Sequence, residues 1–531
     1  MRAPRAARCL ALSTMAMAGI ATSLSLRGSA VAADLDGETV AAITEYVTRQ
    51  LEALDVPGAA VAIVHDDAIV YSAGFGDANA DGRDVTAQTP FHLASVSKSL
   101  TAIAVMQQVE RGGLELDERV TAYLPWFDDA HPSLGPVAVR ELLGHLSGWS
   151  EGDGRINLAD ASEGDDAIEL NVRRLAATRP SGTHGTFEYS NANYDVLAHL
   201  VELSSGMSFA AYLETEVFGP LAMSHAHATH EAARADGLAA GFLPFFGIRI
   251  PYDIPYVGGS AGSSFLYASA EDLANTLIFH LNDGRLGETT VLGANGVADL
   301  HRPVSYPNAD GGYAGGLHVY PLFSAGGLER ERDTPVYRVP MTLQHEGDMP
   351  TTATGILIMP AERWGVVVLM NTSDAAAPSR FHQMPYGIAS ILLGKEPPET
   401  VAYEDALLQY LRPILGGVIG LQVIGVALAT RRLRRWHEYP RTAPTTQAAR
   451  LGHLIPPLVP DIGVPAAFWW MVIDRGNAPL AVVITSAPDI ALCLVAITGF
   501  GIAWGLVRTV ATLRVLRASA RKRAEVAPVP A

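Results

Sequence analysis

The apolar positions change period several times along the chain, and each change predicts an element. Residues 38–54, ETVAAITEYVTRQLEAL, carry apolar side chains at helical spacing. GAAVAIVHDDAIVYSAGFG (58–76) predicts two strands joined by a short Asp-Asp turn. In HLASVSKSLTAIAVMQQ (92–108) and just beyond it, Val96, Leu100, Ile103, Met106 and Val109 line one face of a helix. A long middle rich in helices, loops, Gly and Pro follows, and TTATGILIMPAERWGVVVLMNT (351–372) predicts two strands around a Pro-containing turn. Strands near both ends with helices between them imply an α/β (α+β) fold. Its antiparallel sheet is assembled from both ends of the body, flanked by helices, with a helical subdomain inserted.

The pattern is different at the two termini. MRAPRAAR is basic, CLALSTMAMAGIATSLSL is apolar and short, and Ala30-Val31-Ala32 offers a small-x-small cleavage site, so residues 1–32 read as a secretory signal peptide cut near Ala32, with an uncleaved N-terminal anchor as the alternative. Pro413–Thr430 and Ile490–Val507 are uncharged runs about long enough to cross a bilayer, each followed at once by an arginine cluster. Residues 451–473 are apolar but hold Asp461 and four prolines, which predicts a third, irregular span. The expected organisation is a signal peptide (1–32), a body (33–395), a linker (396–410) and a membrane domain (411–531) with spans near 411–430, 451–473 and 488–508. Three spans put both arginine clusters on one side, which the positive-inside rule makes cytoplasmic, and the body on the other. The signal peptide exports the body independently, so a multi-pass membrane protein with an extracytoplasmic body is expected.

Composition agrees with this division. The 531 residues are only 18% charged, with a mean hydropathy of +0.18. Of the net charge of −17, residues 1–32 contribute +4 and residues 411–531 contribute +9, leaving −30 on the body. A body this acidic repels nucleic acid, so no nucleic-acid partner is expected. The two cysteines, Cys9 and Cys493, lie outside the body, which excludes disulfides, cysteine nucleophiles and Cys-based metal sites there. No metal or other cofactor is expected.

The candidate chemistry starts at a rare residue. Lysine occurs three times, at Lys98, Lys395 and Lys522. Ser95-Val96-Ser97-Lys98 places a hydroxyl and an amine on one helical face. Serine needs a base to become a nucleophile, and a lysine whose pKa is depressed by burial can be that base. A helix N-terminus favours the negative charge that develops in acyl transfer. On its own S-x-x-K also fits a capping serine beside a solvated lysine, and Ser97 and Ser99 are neighbouring decoys.

Two later segments add companions: Tyr189-Ser190-Asn191 in PSGTHGTFEYSNANYDVLAHLVE (180–202), and His345-Glu346-Gly347 in LQHEGDMPTTATG. Here the chain resembles the serine β-lactamase and penicillin-binding-protein superfamily, in the branch of class C β-lactamases, D-alanyl-D-alanine carboxypeptidases and related esterases. That family's motifs S-x-x-K, Y-x-N and K-T-G or H-x-G are present in order. VAVRELLGHLSGW (137–149), EVFGPLAMSHA (216–226), GGSAGSSFLYASAEDLA (258–274) and GVVVLMN (365–371) also match, and the resemblance covers about residues 38–395.

The resemblance implies that Ser95 is acylated and that Lys98 is its base or proton relay. Tyr189 shares proton transfer with a phenol pKa lowered by Lys98, and Asn191 orients Lys98 and binds the substrate amide. His345 fills the basic third-motif position near the substrate carboxylate or leaving group. The backbone N–H groups of Ser95 and Asp348 form the oxyanion hole beside Gly347. Glu346 and Asp348 depart from the family's small residues. If both face the pocket they disfavour a carboxylate-bearing substrate and favour a neutral or cationic ester or amide.

The function expected is therefore a membrane-anchored, outward-facing serine hydrolase acting on a small-molecule or peptide substrate with an amide, peptide, ester or β-lactam bond. Two alternatives stand beside it: a penicillin- or muropeptide-binding sensor that uses the same pocket, and a degenerate, inactive fold that serves as a scaffold. LPFFGIRIPYDIPYV (243–257) is aromatic and Pro-rich, and three readings fit it: a pocket wall, a membrane-surface contact, or ordinary loop packing.

Overall fold

The computed structural model describes residues 31–32, 35–127, 134–155, 164, 166–309, 311–322, 339–374, 377–398, 406–470 and 480–525. The predicted signal peptide, apart from Val31 and Ala32, and residues 399–405 of the predicted linker lie outside the described residues.

An eight-stranded antiparallel sheet organises the body. Its strands are β1 (Val31–Ala32), β2 (Gly58–His65), β3 (Ala68–Gly76), β10 (Gly312–Tyr313), β11 (His318–Pro321), β12 (Met341–Met349), β13 (Thr352–Met359) and β14 (Trp364–Met370). They lie in the order β1-β3-β2-β14-β13-β12-β11-β10, so the N-terminal hairpin pairs with the last strand of the body. Three short pairs lie outside this sheet: β4 (Phe91–His92) with β7 (Tyr267–Ala268), β5 (Phe242–Phe245) with β6 (Ile248–Pro251), and β8 (Arg285–Leu286) with β9 (Thr289–Thr290). The predicted Asp-Asp turn joins β2 to β3, with Asp66 in the left-handed region at φ 57°.

Each face of the sheet has its own core. On one face α1 (Gly37–Leu54) and the helix Met384–Leu392 cover Val61, Val366 and Val368. On the other the helix Ala270–Leu281 and α2 (Ser97–Glu110) join the sheet to the inserted helical part. Central strands covered on both sides read as continuous apolar runs, as β14 does from Val366 to Met370, and in β13 all eight residues are buried. Helix α2 is buried all round rather than on one stripe, from Ser97 to Gln108. A five-residue apolar face marks such a helix but under-reports its burial.

Two of the described helices are long and apolar enough to cross a membrane: Ala406–Glu438 and Pro488–Glu525. The described part of the predicted third span is broken into the end of the helix Gln447–Leu454, a π turn, Val459–Gly463, and a short helix, Val464–Trp469. Prolines 456, 457, 460 and 465 account for the interruptions, since each removes a backbone donor. Polar contacts tie these pieces together. Gln422 donates to the carbonyl of Ile497 at 2.9 Å, Trp469 donates to Thr498 Oγ1 at 2.8 Å, and Arg508 pairs with Asp461 at 2.7 Å.

Leu277 packs its Cδ1 within 2.9 Å of where a side chain on Gly365 would begin, so helix and sheet meet without spare volume here. Leu277→Ala leaves a cavity in this layer, and denaturant unfolding of the full chain in detergent is expected to show a loss of about 2–5 kcal/mol.

Candidate active site

The site forms where the sheet edge, α2 and the inserted helices meet. Ser95 sits in a single 3₁₀ turn, Ala94–Val96, that runs into α2. Ala94 is held at φ 48°, a left-handed conformation that costs a non-glycine residue roughly 1–3 kcal/mol. This bend leaves Ser95 partly exposed while Lys98, three residues on, is fully buried. Neither decoy is available. Ser97 and Ser99 are buried, Ser97 Oγ accepts from the Leu266 amide at 3.2 Å, and Ser99 Oγ donates to the Val96 carbonyl at 2.8 Å.

Lys98 Nζ has three neighbours: Ser95 Oγ at 3.2 Å, Asn191 Oδ1 at 2.8 Å and the Ser263 carbonyl at 2.8 Å. Two of them, an amide oxygen and a backbone carbonyl, can only accept. A neutral lysine has two N–H groups for those two acceptors, and its lone pair is left for the Ser95 hydroxyl proton. Burial brings the neutral form within reach by pulling the Lys98 pKa down to about 7, against the pull of Asp195 and Glu151.

Asn191 opens the helix Asn191–Ser205. The turn before it is pinned by His145, whose Nδ1 accepts from the Ser190 amide at 3.1 Å and lies 3.0 Å from Asn193 Nδ2. His145 is fully buried and itself at φ 57°. The Tyr189 hydroxyl is buried and close enough to Ser95 to feel it, but makes no hydrogen bond of proper geometry. Lys98 Nζ stands 4.9 Å from the Tyr189 ring centroid. Burial pushes the Tyr189 phenol well above its ordinary value, and Lys98 does not offset this. The expected lowering of that pKa is therefore corrected: Tyr189 is a protonated phenol.

The third motif lies on β12. Strand β11 pairs with Met341–Gln344, so among the described residues the edge from His345 to Met349 has no strand neighbour on that side. His345 Nδ1 donates to the Glu346 carbonyl at 2.7 Å, and the Tyr313 hydroxyl donates to Nε2 at 3.2 Å. Burial, with nearby His318 and Lys98, holds its pKa well below the ordinary value. The position expected to be basic thus holds a neutral imidazole with both nitrogens engaged. Gly347 faces the Ser95 turn, where a Cβ would collide with the Leu93 carbonyl and Thr354 Oγ1. That approach explains the glycine.

The two acids turn to the other side, as strand alternation requires. Glu346 Oε1 accepts from the Tyr386 hydroxyl at 2.6 Å, and Asp348 Oδ1 accepts from Ser373 Oγ. The expectation that both screen the pocket against carboxylates loses its basis.

Three contributors were not singled out in the sequence. Tyr313 comes from a Gly-rich strand with no motif signal. The Ser263 carbonyl comes from GGSAGSSFLYASAEDLA, which had registered only as a framework match. Asp195 had a readable signal, since it lies four residues after Asn191 on the same helical face. It is fully buried, accepts from Asn171 Nδ2 at 2.9 Å and Ser260 Oγ at 3.3 Å, and burial pushes its pKa up to about 7. Among the described residues no group of three or more His, Cys, Asp or Glu side chains is placed to hold a metal ion.

Comparison with known proteins gives a family and a fold. The Beta-lactamase family model matches residues 43–384. Protein flp of Staphylococcus aureus (strain COL) is 22% identical over 345 residues, covering 63% of this chain and 64% of its own length. The putative penicillin-binding protein PbpX of Bacillus subtilis (strain 168) is 29% identical over 232 residues, covering 43% of this chain and 56% of its own. This chain thus spans less than two thirds of either relative.

Among solved structures, the octameric penicillin-binding protein homologue from Pyrococcus abyssi superposes with a TM-score of 0.56 at 24% identity, over 68% of this chain and 79% of its own. The D-alanine carboxypeptidase AmpC from Burkholderia cenocepacia gives 0.53 at 22%, over 67% and 99%. At these identities the likeness is one of fold.

If Asp195 holds up the Lys98 pKa, Asp195→Asn removes an anion and lets that pKa fall further. The acid limb of the pH profile for hydrolysis of a soluble ester is expected to move to lower pH. An unmoved limb, or one moved upward, contradicts the coupling.

Proposed function

The chain belongs to the beta-lactamase family, and from that premise we propose that it is a membrane-anchored serine hydrolase that works through an acyl-Ser95 intermediate. The observation that carries this reading is the buried Lys98 amine, with two obligate acceptors on one side and the Ser95 hydroxyl on the other.

Neutral Lys98 takes the proton as Ser95 Oγ attacks the scissile carbonyl carbon. The backbone N–H groups of Ser95 and Asp348 hold the oxyanion, on the stretch of β12 that β11 leaves open. The C–O or C–N bond then breaks. Tyr189, kept protonated by burial, gives its proton to the leaving group and regains one from Lys98. Water, deprotonated along the same relay, releases the acid and regenerates Ser95.

With Glu346 and Asp348 turned away, esters, amides, peptides and β-lactams all fit the chemistry. The apolar helices and the arginine clusters behind them favour a body outside the cytoplasm with its spans as anchors.

One observation favours a second reading, a sensor. Asp348 bonds Ser373, and the next residue, Asp374, pairs at 3.2 Å with Arg412 at the head of a membrane helix, so an occupied pocket adjoins the spans directly.

Turnover separates the two. Purified full-length protein is expected to hydrolyse a chromogenic ester for many cycles. Ser95→Ala abolishes this, and Lys98→Ala lowers kcat/KM by about 10²–10⁴. Stoichiometric labelling by a fluorescent penicillin without release supports the sensor instead, and hydrolysis that survives Ser95→Ala removes the nucleophile assignment.

A further inference from the structure

The first part of the segment 243–257, ambiguous in sequence, forms the β5–β6 hairpin, which ends at Pro251, and its tip is built unusually. The two turn residues, Phe246 and Gly247, have φ of 48° and 84°. Such two-residue turns favour Asn or Asp at the first position, and a bulky side chain there costs roughly 1–2 kcal/mol. Phe246 is nevertheless 53% exposed and Ile248 62% exposed, so this strained turn carries two apolar side chains into the surroundings. The adjacent charge is turned inward: Arg249 donates to the carbonyls of Leu54 at 2.8 Å, Asp55 at 3.0 Å and Ser373 at 3.1 Å.

The position of the tip says what surrounds it. The Phe246 amide donates to Asp489 Oδ2 at 3.2 Å, and Arg412 Nε donates to the same oxygen at 2.7 Å. The uncharged run Ile490–Val507 begins one residue after Asp489, and Pro413–Thr430 one residue after Arg412. Asp489 and Arg412 are thus the charged residues at which the two uncharged runs begin, and the exposed Phe246 and Ile248 stand beside them. The root of the hairpin lies at the site end of the sheet. The Phe242 amide donates to the Asn371 carbonyl at 2.8 Å, two residues before the Ser373 that holds Asp348.

We propose that Phe246 and Ile248 insert into the bilayer boundary and hold the Ser95 crevice over the lipid surface, so that the substrate is an amphiphile anchored in the membrane. The four residues of β5 span roughly 13 Å. The scissile bond therefore belongs to an extended polar head group rather than to the acyl–glycerol junction. The inference rests on the reading of Ser95 as nucleophile and of the two long helices as spans.

The test uses full-length protein in phosphatidylcholine vesicles, with both cysteines replaced by serine. A nitroxide at Phe246→Cys or Ile248→Cys is expected to be more accessible to oxygen than to a water-soluble nickel chelate. The same label at Leu203→Cys, on a body helix, shows the reverse. A label at 246 or 248 as open to the chelate as the one at 203 overturns the proposal, and so does one immobilised against a neighbouring protein.

In parallel, hydrolysis of a 4-nitrophenyl ester tethered by a short ethylene glycol spacer to phosphatidylethanolamine is compared with that of the untethered ester. The double variant F246S/I248S is expected to lose at least tenfold in kcat/KM on the tethered ester only. Equal rates for variant and parent on the tethered ester overturn the proposal. Untethered hydrolysis that persists in Ser95→Ala instead overturns the hydrolase reading on which it rests.

Discussion

A lysine amine buried without a carboxylate in contact is the constraint around which the body is arranged. Removing an ammonium from water is costly, and the fold offsets this with three hydrogen-bonding partners drawn from three separated parts of the chain. Ser95 comes from the same turn, Asn191 from the inserted helical part and Ser263 from the segment before the helix Ala270–Leu281. To bring them together the backbones must approach closely. A side chain on Gly262 would meet the Tyr194 carbonyl at 2.7 Å, and one on Gly316 would meet the Lys98 carbonyl at 2.7 Å. Left-handed Ala94 and His145 are part of the same arrangement, each bending the chain where a site residue must be presented.

Much of this was legible in the sequence, and the gaps have physical causes. The helix at 38–54, the hairpins around 58–76 and 351–372 and the closure of one sheet from both ends follow from local periodicity, and the structure has them. Ser95, Lys98 and Asn191 are brought into contact, because S-x-x-K on a helix and Y-x-N at a helix start encode geometry as well as chemistry. Protonation states were not legible. A motif names Tyr189 and His345 but not their burial, and burial makes one a protonated phenol and the other a neutral imidazole. Side-chain direction was half legible. Alternation along β12 already allowed Glu346 to point away, but that Asp348 follows it to Ser373 depends on a partner 25 residues downstream. The β5–β6 hairpin was missed because two prolines and a Phe-Gly turn carry no ordinary hairpin signal.

The junction between the body and the two long apolar helices is as specific as the site. Arg412 reaches Asp374 on the body and Asp489 at the head of the second long helix. A guanidinium bridging two carboxylates, half shielded from water, fixes orientation more than it adds stability. One of those carboxylates, Asp374, directly follows the serine that holds Asp348. The proposed hydrolysis of a substrate held at a membrane surface needs such a fixed height and tilt.

The central claim is that a lysine neutral near pH 7 activates Ser95, and the most direct measurement is rapid-quench peptide mass spectrometry with a slowly deacylating ester at pH 5.5 and pH 8.5. The account predicts an acyl adduct on Ser95, formed at least tenfold faster at the higher pH because Lys98 loses its proton between the two. An adduct on Ser97 or Ser99, or acylation equally fast at both values, would contradict it.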